Sequence, residues 1–95
     1  MSGRAVVGDD SLPALAPGVR LRHDKARDAW VLLAPERVLM PDEIALEILR
    51  RCDGKATVAA IVGDLARTFE ANPGQVAGDV RALLQDLADK GMLTL

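Results

Sequence analysis

The sequence predicts an α+β domain, winged-helix-like in outline, with an N-terminal three-stranded antiparallel sheet followed by three helices. Two patterns and one compositional fact carry that prediction. From Val19 to Met40 apolar residues alternate with polar ones or run in short blocks separated by polar or Pro-containing turns, as strands do. From Asp42 onward they recur every three or four residues behind successive helix-start signals. The chain of 95 residues holds one Trp, one Phe and no Tyr, so its core must be built from Leu, Val, Ile and Ala. An apolar fraction of 49% against a charged fraction of 27% suits one small folded domain rather than a disordered chain.

Residues 1–17 are interrupted by Gly and Pro and show no period, so they read as an N-terminal arm ahead of a folded domain over 18–95. An unpatterned arm needs a surface to order it, and we expect that surface on another copy of the protein, giving a homodimer through the arm. Val19-Arg20-Leu21-Arg22-His23 alternates strictly, with Val19, Leu21 and His23 on one face and Arg20, Arg22 and Asp24 on the other. Lys25 to Asp28 is a polar turn. Ala29 to Leu33 is apolar throughout and suits a central strand covered on both faces. After the Leu33-Ala34-Pro35-Glu36 turn, Arg37 to Met40 forms the third strand, completing a meander with the second strand in the middle.

Three helices follow. Asp42 caps the first, with Glu43 in its first turn facing the positive end of the helix dipole. Ile44, Ile48 and Leu49 form its apolar stripe, with Ala45 and Cys52 beside it, and Gly54 supplies a left-handed stop. Thr57 caps the second, whose inward positions are Val58, Ile61, Val62, Leu65 and Phe69. Asn72 caps the third, with Pro73 at the first helical position, where its missing N–H costs nothing. Val76, Val80, Leu83, Leu84 and Leu87 form that helix's stripe, Gly91 ends it, and Met92 to Leu95 adds a final short strand.

The search for reactive chemistry is largely negative. His23 and Cys52 are the single His and the single Cys, in different elements, which excludes an internal disulfide and leaves no ligand set for a metal. Cys52 on a helix flank reads as a small core hydrophobe, and His23 as a packed or hydrogen-bonded residue at the sheet's end. Neither a dinucleotide-binding glycine motif, a phosphate loop nor a nucleophile elbow is present. We therefore expect no catalytic residues, no metal and no cofactor. No apolar run reaches the ~18 residues of a membrane span, and the N-terminus lacks the apolar stretch of a secretory signal, so the expected location is cytoplasmic.

What the pattern does offer is an edge. The third strand is fenced by Pro35 and Pro41, and Pro cannot donate to a ladder, so this strand belongs at the side of the sheet. An edge strand carries free N–H and C=O groups that an extended peptide can pair with, although a protected edge that binds nothing has the same local pattern. The candidate docking residues are Arg37, Val38, Leu39 and Met40. Arg81 and Leu84, on one flank of the third helix's stripe, are candidates for an opposing wall, with core packing an equal alternative for Leu84.

Winged-helix-like domains often bind DNA, but here the charges oppose it. The net charge is −2, and the third helix, where a recognition helix would stand, carries a net −1 between Pro73 and Gly91. The basic excess lies in the strands, in Arg20, Arg22, Lys25, Arg27 and Arg37. A DNA-binding regulator is thus the alternative reading, and a purely structural dimerisation module a third.

The stretches Pro17-Gly18-Val19-Arg20-Leu21, Pro35-Glu36-Arg37, Ile48-Leu49 with Cys52-Asp53-Gly54, Val58-Ala59-Ala60-Ile61, Asp79-Val80 with Leu83-Leu84-Gln85, and Gly91-Met92-Leu93 follow a familiar order and spacing. Together they resemble the pyrroloquinoline quinone biosynthesis protein D (PqqD) family from Leu15 to Leu95. Pro41 departs from the pattern, which more often has an apolar residue there. The resemblance implies a non-enzymatic peptide chaperone of the RiPP recognition element type, RiPPs being ribosomally made and later modified peptides. It would bind the precursor peptide PqqA by strand addition at Arg37–Met40. It would then present that peptide to the radical S-adenosylmethionine enzyme PqqE, which crosslinks a Glu and a Tyr within it.

Overall fold

The computed structural model describes residues 5–95; the first four residues of the expected arm lie outside the described residues. The elements run β1 (Ala14–Leu15), β2 (Arg20–Asp24), β3 (Ala29–Ala34), β4 (Arg37–Leu39), α1 (Glu43–Arg50), α2 (Val58–Thr68), α3 (Pro73–Asp89) and β5 (Leu93–Thr94). β2, β3 and β4 form the expected antiparallel meander with β3 central. β1, which the sequence pattern did not indicate, pairs with β5 in a separate two-stranded sheet. The arm thus contributes a strand of its own.

The register of the meander decides which residues reach the core. Leu21 stands opposite Leu32, and Leu32 opposite Leu39, so these three form one inward row. Leu32 is 1% exposed and joins Ile48, Ile61, Val80, Leu84 and Leu87 in one core cluster, against which Leu21 and Leu39 pack. Side chains alternate along a strand. Arg20, Leu33 and Val38 therefore form a row on the opposite face, with Arg22 and Val31 in the next row. All three helices lie on the inward side.

The helix starts are where the caps placed them. Asp42 Oδ1 accepts from the Ala45 N–H at 2.8 Å, Thr57 Oγ1 from Ala60 at 3.1 Å, and Asn72 Oδ1 from Gly74 at 2.8 Å and Gln75 at 3.2 Å. Between α1 and α2, Arg51 Nε donates to Asp64 Oδ2 at 2.6 Å while its Nη1 reaches Glu47 Oε1 at 2.9 Å. Asp64 holds the guanidinium pKa above its ordinary value, and Arg51 in turn holds the Asp64 carboxyl below its own. At the sheet's end the Arg50 guanidinium stacks 4.9 Å from the centre of the Trp30 ring, whose other neighbour is His23 at 5.3 Å.

Several expectations need correction. α1 stops at Arg50, four residues before Gly54. Gly54 has φ +79°, donates to Pro13 C=O at 2.9 Å, and would place a Cβ only 3.4 Å from that of Ala14. Its left-handed conformation serves the approach of the arm rather than the helix end. Ile44 and Phe69, assigned to inward stripes, are 61% and 53% exposed. Both border an open space between α1, α2 and α3, so the helical period continues there without a side chain that covers them.

The arm finds its partners within the chain, on α2, α3 and β5, where the sequence suggested another copy. Ser11 and Asp9 carbonyls accept from the Val58 and Ala59 N–H groups, filling two of the donors that a helix start leaves unpaired. Gln85 on α3 accepts from the Val7 N–H at 2.9 Å and donates to the Ala5 carbonyl at 2.8 Å. Val7 is buried in the core cluster.

Candidate functional site

Among the described residues β4 has a strand neighbour on one side only, β3. The loop between them is the two residues Pro35 and Glu36, and the first facing pair is Ala34 with Arg37. A two-residue hairpin closes on a pair that exchanges both hydrogen bonds, and such pairs alternate along an antiparallel ladder. Arg37 and Leu39 therefore turn their N–H and C=O toward β3, and Val38 turns both away, to the free edge. Met40 lies one residue beyond β4 and Pro41 stops any extension.

The chain then enters α1, and a groove opens between α1 and α3. One part, about 270 Å³, is lined by Asp42, Ile44, Ala45, Ile48, Asp79, Ala82 and Leu83. It shares Ile44, Ile48 and Asp79 with an adjoining space of about 420 Å³ that Leu65, Phe69, Val76 and Val80 also line. The described residues include six exposed large hydrophobics; two of these, Ile44 and Phe69, line this groove, while the side chains of Val38 and Met40 stand on the outward face of the sheet. The exposed apolar groove marks a surface adapted to a partner.

The sequence-derived residues divide accordingly. Arg37, Val38, Leu39 and Met40 are contiguous at the edge, with Val38 and Met40 exposed and Leu39 turned to the core. Leu84 is fully buried, which makes it core and removes it from the wall. Arg81 lies on the flank of α3 that carries the arm, in an ion pair with Asp9. The flank facing α1 is Asp79, Ala82 and Leu83, and with Ile44 these are the lining residues that sequence reasoning missed. The signal was present in the helical period, since Leu83 stands on the side of the stripe away from Arg81. Which side faced the groove was set by the crossing of α1 over α3.

The two potentially reactive side chains, Cys52 and His23, lie in different elements. Cys52 is buried, donates to the Ile48 carbonyl at 3.3 Å, and has its thiol pKa pushed up to about 12 by burial, with the Asp53 carboxylate adding to the effect. His23 Nε2 lies 3.3 Å from the exposed carboxylate of Asp28. The described residues contain no group of carboxylates, His and Cys that could hold a metal, and no helix among them is long and apolar enough to cross a membrane.

Comparison with known proteins identifies the family. Residues 29–93 match the family model described as coenzyme PQQ synthesis protein D (PqqD). A PqqA binding protein of Rhodopseudomonas palustris (strain BisB5) is 52% identical, over 98% of this chain and 91% of its own. One from Xanthomonas campestris pv. campestris (strain B100) is 47% identical, over 96% and 99%. The solution structure of the PqqD truncation of Methylobacterium extorquens PqqCD, a stand-alone RiPP recognition element, superposes with a TM-score of 0.79 at 40% identity, covering 97% of both chains. The crystal structure of PqqD from Xanthomonas campestris does so with a TM-score of 0.61 at 48% identity, covering 95% of this chain and 100% of that one. With a family model that matches residues 29–93 and near full-length relatives in both sequence and structure, this chain belongs to the PqqD family.

Proposed function

We propose that this protein is a peptide chaperone, without catalytic chemistry of its own, that binds the precursor peptide PqqA and presents it in the cytoplasm to the radical S-adenosylmethionine enzyme PqqE. The observation that carries the reading is the outward N–H and C=O of Val38 on an edge without a second strand neighbour among the described residues, followed in the chain by α1 and the groove lined by Ile44, Ala45, Ala82 and Leu83. The peptide adds as a strand beside Arg37–Met40, its backbone taking up the free ladder groups and its alternate side chains seating in the groove. The names of the relatives support PqqA as the ligand. The alternative of a DNA-binding regulator is disfavoured by the acidic excess on α3.

The test is titration of synthetic PqqA into ¹⁵N-labelled protein. The Val38 amide should shift and become protected from exchange, followed by amides of Ile44, Ala82 and Leu83. Shifts confined to the arm and β5, with Val38 unmoved, would overturn the strand-addition reading. A homodimer of the kind first expected would arise by exchange of the arm, reproducing the Gln85 and α2 contacts between chains. Sedimentation over a range of protein concentrations reads it directly.

A further inference from the structure

The outward face of the sheet remains unused by this reading, and it is not the face of a sheet that meets only water. Where an antiparallel sheet faces solvent, its outward positions are polar. On β2 they are, with Arg20, Arg22 and Asp24. On β3 and β4 they are Val31, Leu33 and Val38, and Met40 continues the line of Val31 just past β4. Val38 and Met40 are 59% and 58% exposed. Val31 is only 5% exposed and stands outside the core cluster. Among the described residues neither Arg20 nor Arg22 has an ion-pair partner, and Asp24 beside them is taken by Arg27 at 3.7 Å. The result is an apolar strip bordered on one side by two free guanidinium groups.

We propose that this face docks the enzyme that receives the peptide, through an amphipathic helix carrying carboxylates along one edge; the inference rests on the chaperone reading above. The dimensions suit such a helix. Arg20 and Arg22 are two positions apart on one strand, about 7 Å, close to the ~6 Å between the Cβ atoms of residues at i and i+4 of a helix. The arginine row stands two strand spacings, about 10 Å, from the Val38 row, which is the diameter of a helix. Apolar side chains of that helix cover Leu33, Val38 and Met40 while its acidic edge meets the arginines. A second copy of this chain does not supply the match, since the same face offers it only Asp24, already paired. The arrangement also separates the two tasks, with the peptide held at the edge and groove and the enzyme on the outer face.

The test uses the full chain with Arg20→Glu and Arg22→Glu together, and in parallel Leu33→Ser, with circular dichroism as the folding control. PqqA binding and binding of purified PqqE to the peptide-loaded protein are both measured. PqqA affinity should stay within about twofold of the parent, while enzyme affinity falls at least about tenfold in the charge-reversed protein and loses its salt dependence. Equal enzyme affinity in parent and charge-reversed protein overturns this proposal. So does a change in self-association or in duplex DNA binding with enzyme binding intact. A parent that binds no PqqA overturns the underlying chaperone reading instead.

Discussion

Replacing Val38 by Pro separates an edge that binds from an edge that merely exists. Val38 is the residue of β4 whose N–H points away from β3, so Pro there removes a donor that the fold itself does not use. The residue before it, Arg37, is already extended and compatible with a following Pro. Folding should therefore survive with a cost below ~1 kcal/mol, as for exposed sites generally. The bound state loses one ladder bond, about 1 kcal/mol net, and leaves a peptide carbonyl unpaired where β4 and the groove exclude water, about 1–2 kcal/mol more. At 1.4 kcal/mol per decade the combined loss is roughly 30- to 100-fold in Kd. β4 spans three residues, about 10 Å, so few other ladder bonds remain to compensate. Leu39→Pro is the control: it removes the N–H that pairs with Leu32 and a side chain packed on the core, so it should unfold the sheet rather than spare it. Titration calorimetry with PqqA, beside circular dichroism, reads both. A folded Val38→Pro protein that binds PqqA within about twofold of the parent would refute the docking edge.

Leu84→Ala should lower stability by about 2–5 kcal/mol in urea, whereas Leu83→Ala should cost less and weaken PqqA binding, because Leu84 is fully buried and Leu83 is half-buried at the groove. Gln85→Ala should expose the Val7 amide to hydrogen exchange by breaking the bridge between arm and α3, at a cost of about 1–2 kcal/mol. Cys52 titrates near 9.0 when unfolded and at about 12 when folded, so the folded state favours the neutral thiol. That contribution is complete below pH 9 and is lost as pH rises toward 12; Cys52→Ala should flatten this alkaline loss in thermal melts at successive pH values. Asp64, held below its ordinary value by Arg51, acts in the opposite window. Its contribution is present above about pH 4 and lost as pH falls further, so Asp64→Asn should reduce the acid sensitivity of the melting temperature.

What the sequence by itself determined is local. The period of two in Val19–His23, the Pro35-Glu36 loop and the three caps Asp42, Thr57 and Asn72 act over a few residues, through dihedral preference and short-range hydrogen bonds. They specified the meander, its order and the start of every helix. The fencing of β4 by prolines marked the edge for the same reason. What only the tertiary structure decided depends on residues distant in sequence. Ile44 and Phe69 continue helical stripes but lie exposed at helix ends, since burial depends on where the next helix crosses. Leu84 and Leu83 are neighbours on one helix, and the packing of α1 against α3 sends the first into the core and the second toward the groove. The arm carries no period because its order comes from Gln85, Gly54 and the start of α2, between 41 and 80 residues away, and no local pattern encodes such partners.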